Sequence, residues 1–360
     1  MFFVPSSDLK IPFEAVFNVY VDGPLVAFRG THSRCNRLVS ATILAWRVLG
    51  VRLAFAKAQF SKDCIDWIGW SLACFSMAKG IVCSVRQDRL DELLTLTESM
   101  LARNVITFKE LRSYTGKCQS MASLLYTWRP FISMLWGALF SPLASSAPAN
   151  CLWTKQVAEP LTWILAFLRW ENGSVIRVFH CLQYFNRGEQ VNLYFDASTT
   201  GFGCWMQLGD KAIKWMSGTF NNIDTKMLQI VNEDSKAQQA FEAMALLIML
   251  RQWYDFLAEW RFTVRVRGDN LAALSLLSKM QPKSPSLALV ARELSLVISS
   301  GSFSPNFAEH LPGVSNTVAD TLSRKSELGV SFKLPSILEG VEETVPDERD
   351  QDWWLTQRAS

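Results

Sequence analysis

The sequence predicts a mixed α/β, multidomain chain: an α+β front part followed by a sheet-and-helix unit. Three observations carry that prediction. Apolar residues recur at helical spacing from Gln87 to Leu139, the pattern changes to an alternating β–β–β–α–β–α order after Gln190, and a Ser-, Pro- and Ala-rich stretch, SPLASSAPAN at 141–150, reads as a surface connection between them. The chain has 360 residues, 49% of them hydrophobic, which is room for two or three domains each with its own core. Its 14 Trp and 23 Phe exclude a solvated, disordered polymer. A formal charge of +3 gives no strong overall field, so any nucleic-acid surface must be local.

The elements follow in order. Val16–Tyr20 and Pro24–Phe28 flank Asp22-Gly23, a hairpin signal. Thr31 can cap a helix to about Leu49, with Leu38, Ala41, Ala45 and Val48 on one face and Gly50 as its stop. Two strand-like stretches come next, Arg52–Phe60 and Ile65–Phe75. The helical region is interrupted near Asn104 and at Arg129-Pro130, and a further helix runs from about Thr154 to Trp170. Val191, Leu193 and Phe195 alternate with Asn192, Tyr194 and Asp196, so a half-buried strand would turn Asp196 away from the core. Gly201 to Gln207 and Ala212 to Met216 continue a meander, and Asp234-Ser235 open a long amphipathic helix bearing Glu242 beside its apolar stripe. Phe262–Arg267 is a strand ending in Gly268-Asp269-Asn270; helices at about Leu271–Lys279 and Pro285–Ser299, a strand at Phe303–His310, and a last helix capped by Ser315 or Asn316 with Asp320 in its first turn complete the unit. The segments are 1–85, 86–175, 190–326, and an acidic 327–360, which reads as a tail or linker.

Some classes drop out. The eight cysteines form no CxxC pair and only three His are present, so a zinc cage lacks its ligand spacing, and the thiols read as reduced and mostly buried. Met1–Phe17 lacks the layout of a secretory signal. The most membrane-like stretch, Trp67–Val85, contains Lys79, whose charge at mid-bilayer costs about 2.5–3.5 kcal/mol. The expectation is an intracellular protein, cytoplasmic or nuclear, without a membrane partner. Lys109, Arg112 and Lys117 fit either a backbone-facing track or a solvated helix face. Trp128, Trp136, Trp163, Trp170 and Trp253 read as core or domain-interface residues.

Four acids, Asp196, Glu242, Asp269 and Asp320, thus sit on separate elements of one small unit. Alone, each reads as a surface charge or a helix cap. Brought together they would repel and raise one another's pKa unless cations neutralise them. The economical reason to converge them is to hold two hard divalent ions for phosphodiester cleavage.

The phrases YFDASTTGFG, QQAFEAMALLIMLRQW, VRGDN and above all EHLPGVSNTVADTLSR resemble the ribonuclease H domain of LTR-type retroelement polyproteins, gypsy-like or DIRS-like, over about residues 190–326. The resemblance implies a mixed five-stranded sheet with flanking helices and hydrolysis of the RNA strand of an RNA–DNA hybrid. It makes Asp196, Glu242, Asp269 and Asp320 the metal-binding catalytic acids, with two Mg²⁺ or Mn²⁺ ions. Asp196 and Asp269 would hold both ions, Glu242 and Asp320 one each. His310 stands where many such domains carry a mobile His that helps release product; its alternative is a polar residue closing a strand. Gln238 and Gln239, one turn before Glu242, and Asn270 beside Asp269 are placed to contact nucleic acid and sense ribose 2′-hydroxyls.

Upstream, VYVDGPLVAFRGT, RLAFAKAQF and DWIGW resemble the second half of a reverse-transcriptase palm, and ITFKELRSYTGKCQSMA and RPFISMLW its thumb and connection. The family's turn reads Tyr-x-Asp-Asp; here Tyr20, Asp22 and Gly23 leave the second acid missing. Polymerase activity is therefore not expected from this chain alone. It would require a separate N-terminal polymerase portion, and a homodimer is another arrangement to expect. The remaining alternative is a catalytically inactive relic that binds nucleic acid or only folds.

Overall fold

The computed structural model describes residues 15–20, 23–28, 30–61, 64–75, 80–140, 147–171, 175–180, 183, 187–230, 237–258, 262–300, 305–329 and 331–359. The chain forms two compact units, Met1–Asp91 with Ile176–Cys181, and Glu92–Val175 with Leu182–Ser360.

In the first unit β1 (Ala15–Tyr20) and β2 (Gly23–Phe28) pair antiparallel, Tyr20 opposite Gly23; Asp22 lies outside the described residues. The helix α1 (His32–Val48) starts where Thr31 accepts a hydrogen bond from the Arg34 amide. Its expected apolar face is not buried: among its residues only Cys35 is, and Val48 is 79% exposed. Arg52–Phe60 is not a strand but holds one 3₁₀ turn, Phe55–Lys57. An apolar run becomes a strand only where a neighbour takes up its ladder hydrogen bonds, and among the described residues no strand pairs with Arg52–Phe60. Ile65–Phe75 is a hairpin rather than one strand, β3 (Cys64–Trp67) and β4 (Trp70–Phe75). Ile68 and Gly69 between them have φ of 46° and 89°, both positive as a two-residue type I′ turn requires. The strands β5 (Gly80–Val85) and β8 (Ile176–His180) complete an antiparallel sheet in the order β3-β4-β5-β8.

The second unit begins within α2 (Gln87–Leu101), followed by β6 (Val105–Thr107), α3 (Phe108–Met121) and α4 (Arg129–Phe140). The first break falls near the expected Asn104, whereas the second lies at 122–128 and Arg129-Pro130 open α4 rather than interrupt a helix; Thr107 and Glu110 form a capping box for α3. After β7 (Cys151–Trp153), α5 (Ala158–Leu168) is shorter than expected, since Thr154–Gln156 is a 3₁₀ turn and Trp170 has turned to φ 61°. Trp128 and Trp163 are buried, and Trp128 stacks on Phe167 with centroids 5.8 Å apart. Trp170, by contrast, is half exposed. This helical region and the sheet that follows share one unit: the Ser295 hydroxyl donates to the Thr127 carbonyl and Arg129 to that of Lys279.

The meander β9 (Glu189–Ala197), β10 (Gly201–Leu208) and β11 (Lys211–Thr219) is antiparallel; α6 (Asn222–Met227) and α7 (Gln238–Gln252) lead to β12 (Phe262–Gly268), parallel to β9. The helices α8 (Leu271–Lys279) and α9 (Pro285–Ser300) cross over to β13 (Pro305–His310), parallel to β12, and α10 (Thr317–Ser323) closes the unit. The order β13-β12-β9-β10-β11 is a mixed five-stranded sheet with flanking helices, as the resemblance implies. A parallel neighbour for β9 demands a crossover of a dozen or more residues, which α7 supplies. That helix is not amphipathic: every residue from Ala240 to Leu250 is buried, because it lies between the sheet and α8 and α9. The expected start at Asp234-Ser235 lies outside the described residues.

The acidic segment expected as a tail folds back onto the unit. Its strand β14 (Glu342–Glu343) adds a sixth strand parallel to β11. Arg349 forms a buried ion pair with Asp224 at 3.0 Å and donates to the Thr219 carbonyl, and Trp354 is fully buried. The Glu293 carboxylate accepts from the Leu355 and Thr356 amides at 3.0 and 2.8 Å. A few buried anchors, Leu338, Arg349 and Trp354 among them, dock the segment despite its acidic composition.

Candidate metal and catalytic site

Both faces of β9 are covered. Val191, Leu193 and Phe195 enter the main core with α7, while Tyr194 joins Trp205, Trp215, Ala319, Leu322 and Leu338 on the other side. Asp196 falls on that second face, buried beneath α10 rather than half in solvent. The strand β12 runs beside β9 in the same direction, so its end delivers Asp269 beside Asp196. Glu242 arrives from the core side. The Gln238 amide donates to the Ala197 carbonyl at 2.6 Å and to Glu242 Oε1 at 3.2 Å, fixing the first turn of α7 to the end of β9. One carboxylate oxygen from each of Asp196, Glu242 and Asp269 lies within 4.8 Å of the others.

Asp320 stands at the rim of this trio on α10. It is half exposed and accepts from Arg324 Nε at 2.8 Å. Its helix reaches the sheet because β10 carries glycines there: a Cβ on Gly203 would lie 2.4 Å from Leu322 Cβ and 2.5 Å from the Ala319 carbonyl oxygen. Hydrogen bonds pin the approach. Asn316 Nδ2 donates to the Phe195 carbonyl at 3.0 Å, Ser217 to that of Leu322 at 2.8 Å, and Ser198 to that of Ser323 at 3.2 Å. The Ser323 hydroxyl lies 2.8 Å from Asp196 Oδ2.

The electrostatics follow from burial and crowding. Burial, with Asp269 and Asp320 adding to it, pushes Asp196 up to about 6, against the pull of Ser323 and Arg324. Burial again comes first for Glu242, followed by the charges of Asp196 and Asp269, and its pKa rises to about 9. Glu242 Oε2 is buried without a hydrogen-bond partner. Hard oxygen donors crowded together, with one left unpartnered, fit a divalent cation better than they fit one another.

No family model and no curated protein matches the chain. Solved structures do. The ribonuclease H1 of the archaeon Halobacterium salinarum NRC-1 is 19% identical over 38% of this chain and 96% of its own, with a TM-score of 0.30. A foamy viral protease-reverse transcriptase in complex with RNA/DNA hybrid is 15% identical over 93% of this chain and 38% of its own, TM-score 0.35; one in complex with dsDNA is 14% identical over 82% and 55%, TM-score 0.34. The chain therefore spans about two fifths to just over half of those viral chains.

The remaining sequence-designated residues divide. His310 is exposed at the end of β13, opposite Gly268 in register. Gln239 is exposed, whereas both donors of Gln238 are taken up within the protein. Asn270 caps α8, its side-chain oxygen accepting from the Ala272 and Ala273 amides. Asn316 has the N-cap position of α10, but its side chain serves β9 instead. Tyr20 and Gly23 belong to the first unit. Sequence reasoning missed Ser323, Arg324 and Gly203. The first two lay in plain view in the TLSR ending, but nothing in one sequence says that a hydroxyl meets a carboxylate 127 residues away.

Proposed function

We propose that this chain is a ribonuclease H-type endonuclease that cleaves the RNA strand of RNA–DNA hybrids with two divalent cations, and that it derives from the reverse transcriptase region of an LTR-type retroelement, gypsy-like or DIRS-like. One observation carries the reading: Asp196, Glu242 and Asp269 converge to within 4.8 Å, with Asp320 at their rim, on a ribonuclease H-like sheet. When bound, the cations would activate a water and stabilise the leaving oxygen. Asp196, Glu242, Asp269 and Asp320 would be their ligands.

The chain's own residues supply position and access. Glu242 is held by Gln238, so its unpartnered oxygen keeps a fixed place beside the other two acids. Asp320, half exposed on a short helix, is open to solvent and substrate, whereas Asp196 and Glu242 are buried. His310, exposed at the same strand ends, is placed to take a proton or help product leave. Gln239 offers an exposed amide for the hybrid's minor groove. Gly23 in place of the second acid of the polymerase turn assigns nucleotidyl transfer elsewhere.

The test is a labelled RNA–DNA hybrid incubated with the protein and Mg²⁺ or Mn²⁺. Wild type should cut the RNA strand, and Asp196→Asn should abolish cutting while hybrid binding and folding stay nearly unchanged. An intact hybrid that is nonetheless bound by wild type would overturn the nuclease assignment and leave the inactive relic.

A further inference from the structure

We propose that Ser323 is a positioning residue for Asp196, its hydroxyl occupying one carboxylate oxygen so that the other is presented to the cations. This rests on the cation-dependent reading of the site and names a part of it that the four acids do not include. Ser323 is the last residue of α10 and is buried. Its Oγ lies 2.8 Å from Asp196 Oδ2 and 2.9 Å from the Asp320 carbonyl oxygen. One hydroxyl proton serves one acceptor at a time, and an ionised carboxylate is the stronger acceptor, so the proton goes to Asp196. A buried carboxylate with two free oxygens can rotate and bind a cation through either; with Oδ2 engaged, Asp196 has one orientation.

The same residue couples two acids from distant parts of the chain. Asp320 precedes Ser323 by one helical turn on α10, and Asp196 lies one residue before the end of β9. The hydroxyl therefore sets the rim acid and the central acid at one spacing. Ser198 and Ser217 also bond this helix end, but each donates to a backbone carbonyl, of Ser323 and Leu322 respectively, and neither touches an acid. They seat the helix; Ser323 alone among the three addresses the carboxylate.

That distinction gives the experiment. Mn²⁺ binding to the full chain is measured by calorimetry for wild type, Ser323→Ala, Ser217→Ala and Asp196→Asn, with cleavage of a hybrid followed across Mn²⁺ concentration. Removing a side chain that orients a metal ligand typically weakens metal affinity by about 10- to 100-fold. Ser323→Ala should show such a loss and recover cleavage as Mn²⁺ is raised, while Ser217→Ala binds Mn²⁺ as wild type does. Ser323→Cys, close in size with only a weak S–H donor, should fall between. Equal Mn²⁺ affinity in all the serine variants and wild type overturns the proposal but leaves the site intact, and equal losses in Ser323→Ala and Ser217→Ala reduce Ser323 to a helix seat. If wild type itself shows no heat that Asp196→Asn removes, the underlying site reading falls, and this proposal with it.

Discussion

Glu242→Gln tests the electrostatics of the site without reference to catalysis. Burial first, and then the charges of Asp196 and Asp269, raise the Glu242 pKa to about 9 from 4.5, and burial raises Asp196 to about 6 from 3.8. An acid whose folded-state pKa exceeds its unfolded value leaves the folded protein holding a proton that the unfolded chain has released. Its stabilising contribution is complete below the unfolded pKa and is lost as pH rises through the folded one. Above about pH 6 Asp196 has ionised, so between there and about pH 9 Glu242 alone carries the difference. One extra proton costs about 1.4 kcal/mol per pH unit, so the cation-free protein should lose roughly 4 kcal/mol across that window. Glu242→Gln removes the group and should flatten it. The assay is urea denaturation in chelator at intervals of pH, followed by tryptophan fluorescence. Saturating Mn²⁺ should restore wild type at the alkaline end and do little for the variant. A wild-type stability that is flat or rising over this window in chelator, or identical slopes in wild type and variant, would refute the reasoning.

Two further outcomes follow from packing. Gly203→Ala places a Cβ 2.4 Å from Leu322 Cβ and 2.5 Å from the Ser323 amide nitrogen, so α10 must move; a displacement near 1 Å should cost about 100-fold in cleavage, with far-ultraviolet circular dichroism unchanged, and undiminished cleavage would show that α10 does not set the site. Trp354→Ala removes a fully buried indole from the folded-back segment and should cost about 3–5 kcal/mol in thermal or urea denaturation; a loss below 1 kcal/mol, within the range of an exposed substitution, would mean the segment is not docked.

Where a local signal coincided with the tertiary environment, the sequence was legible. The observed bounds of α8, Leu271–Lys279, match the reading, and Asn270, read there as a nucleic-acid contact, caps that helix. The alternation of β9 placed Asp196 on the face away from Phe195, as found. Legibility failed where environment overrode pattern. The long helix carrying Glu242 was expected to show an apolar stripe, yet it is buried all round, since the sheet covers one side and α8 and α9 the other. Arg52–Phe60 has the composition of a strand, but among the described residues no strand pairs with it. The acidic segment beyond residue 326 reads as solvated because its anchors, Leu338, Arg349 and Trp354, are single residues among charges, and a composition average hides them. For the site, the acids were visible as residue types, whereas the hydroxyl and the glycine that seat them have no sequence signature of their own.

The way the fourth acid is delivered explains why the folded-back segment belongs to the unit that carries the acids. A crowd of carboxylates opposes its own assembly when no cation is present, so the elements holding it must draw their stability from elsewhere. The helix α10 has seven residues, too few to be stable in isolation. Ala319 and Leu322 share one buried cluster with Tyr194, Trp205 and Trp215 of the sheet and with Leu338, and Phe332, Leu334 and Val341 pack around it. The Trp215 indole donates to the Val341 carbonyl at 3.2 Å, and Lys325 pairs with Glu343 at 2.7 Å, tying that segment to the sheet and to the chain just beyond α10. Asp320 is thus carried by a helix whose buried side chains share a cluster with the sheet and with residues 332–341. The resemblance at the level of motifs ends near 326, but the structure that holds the motif's last acid in place extends past it.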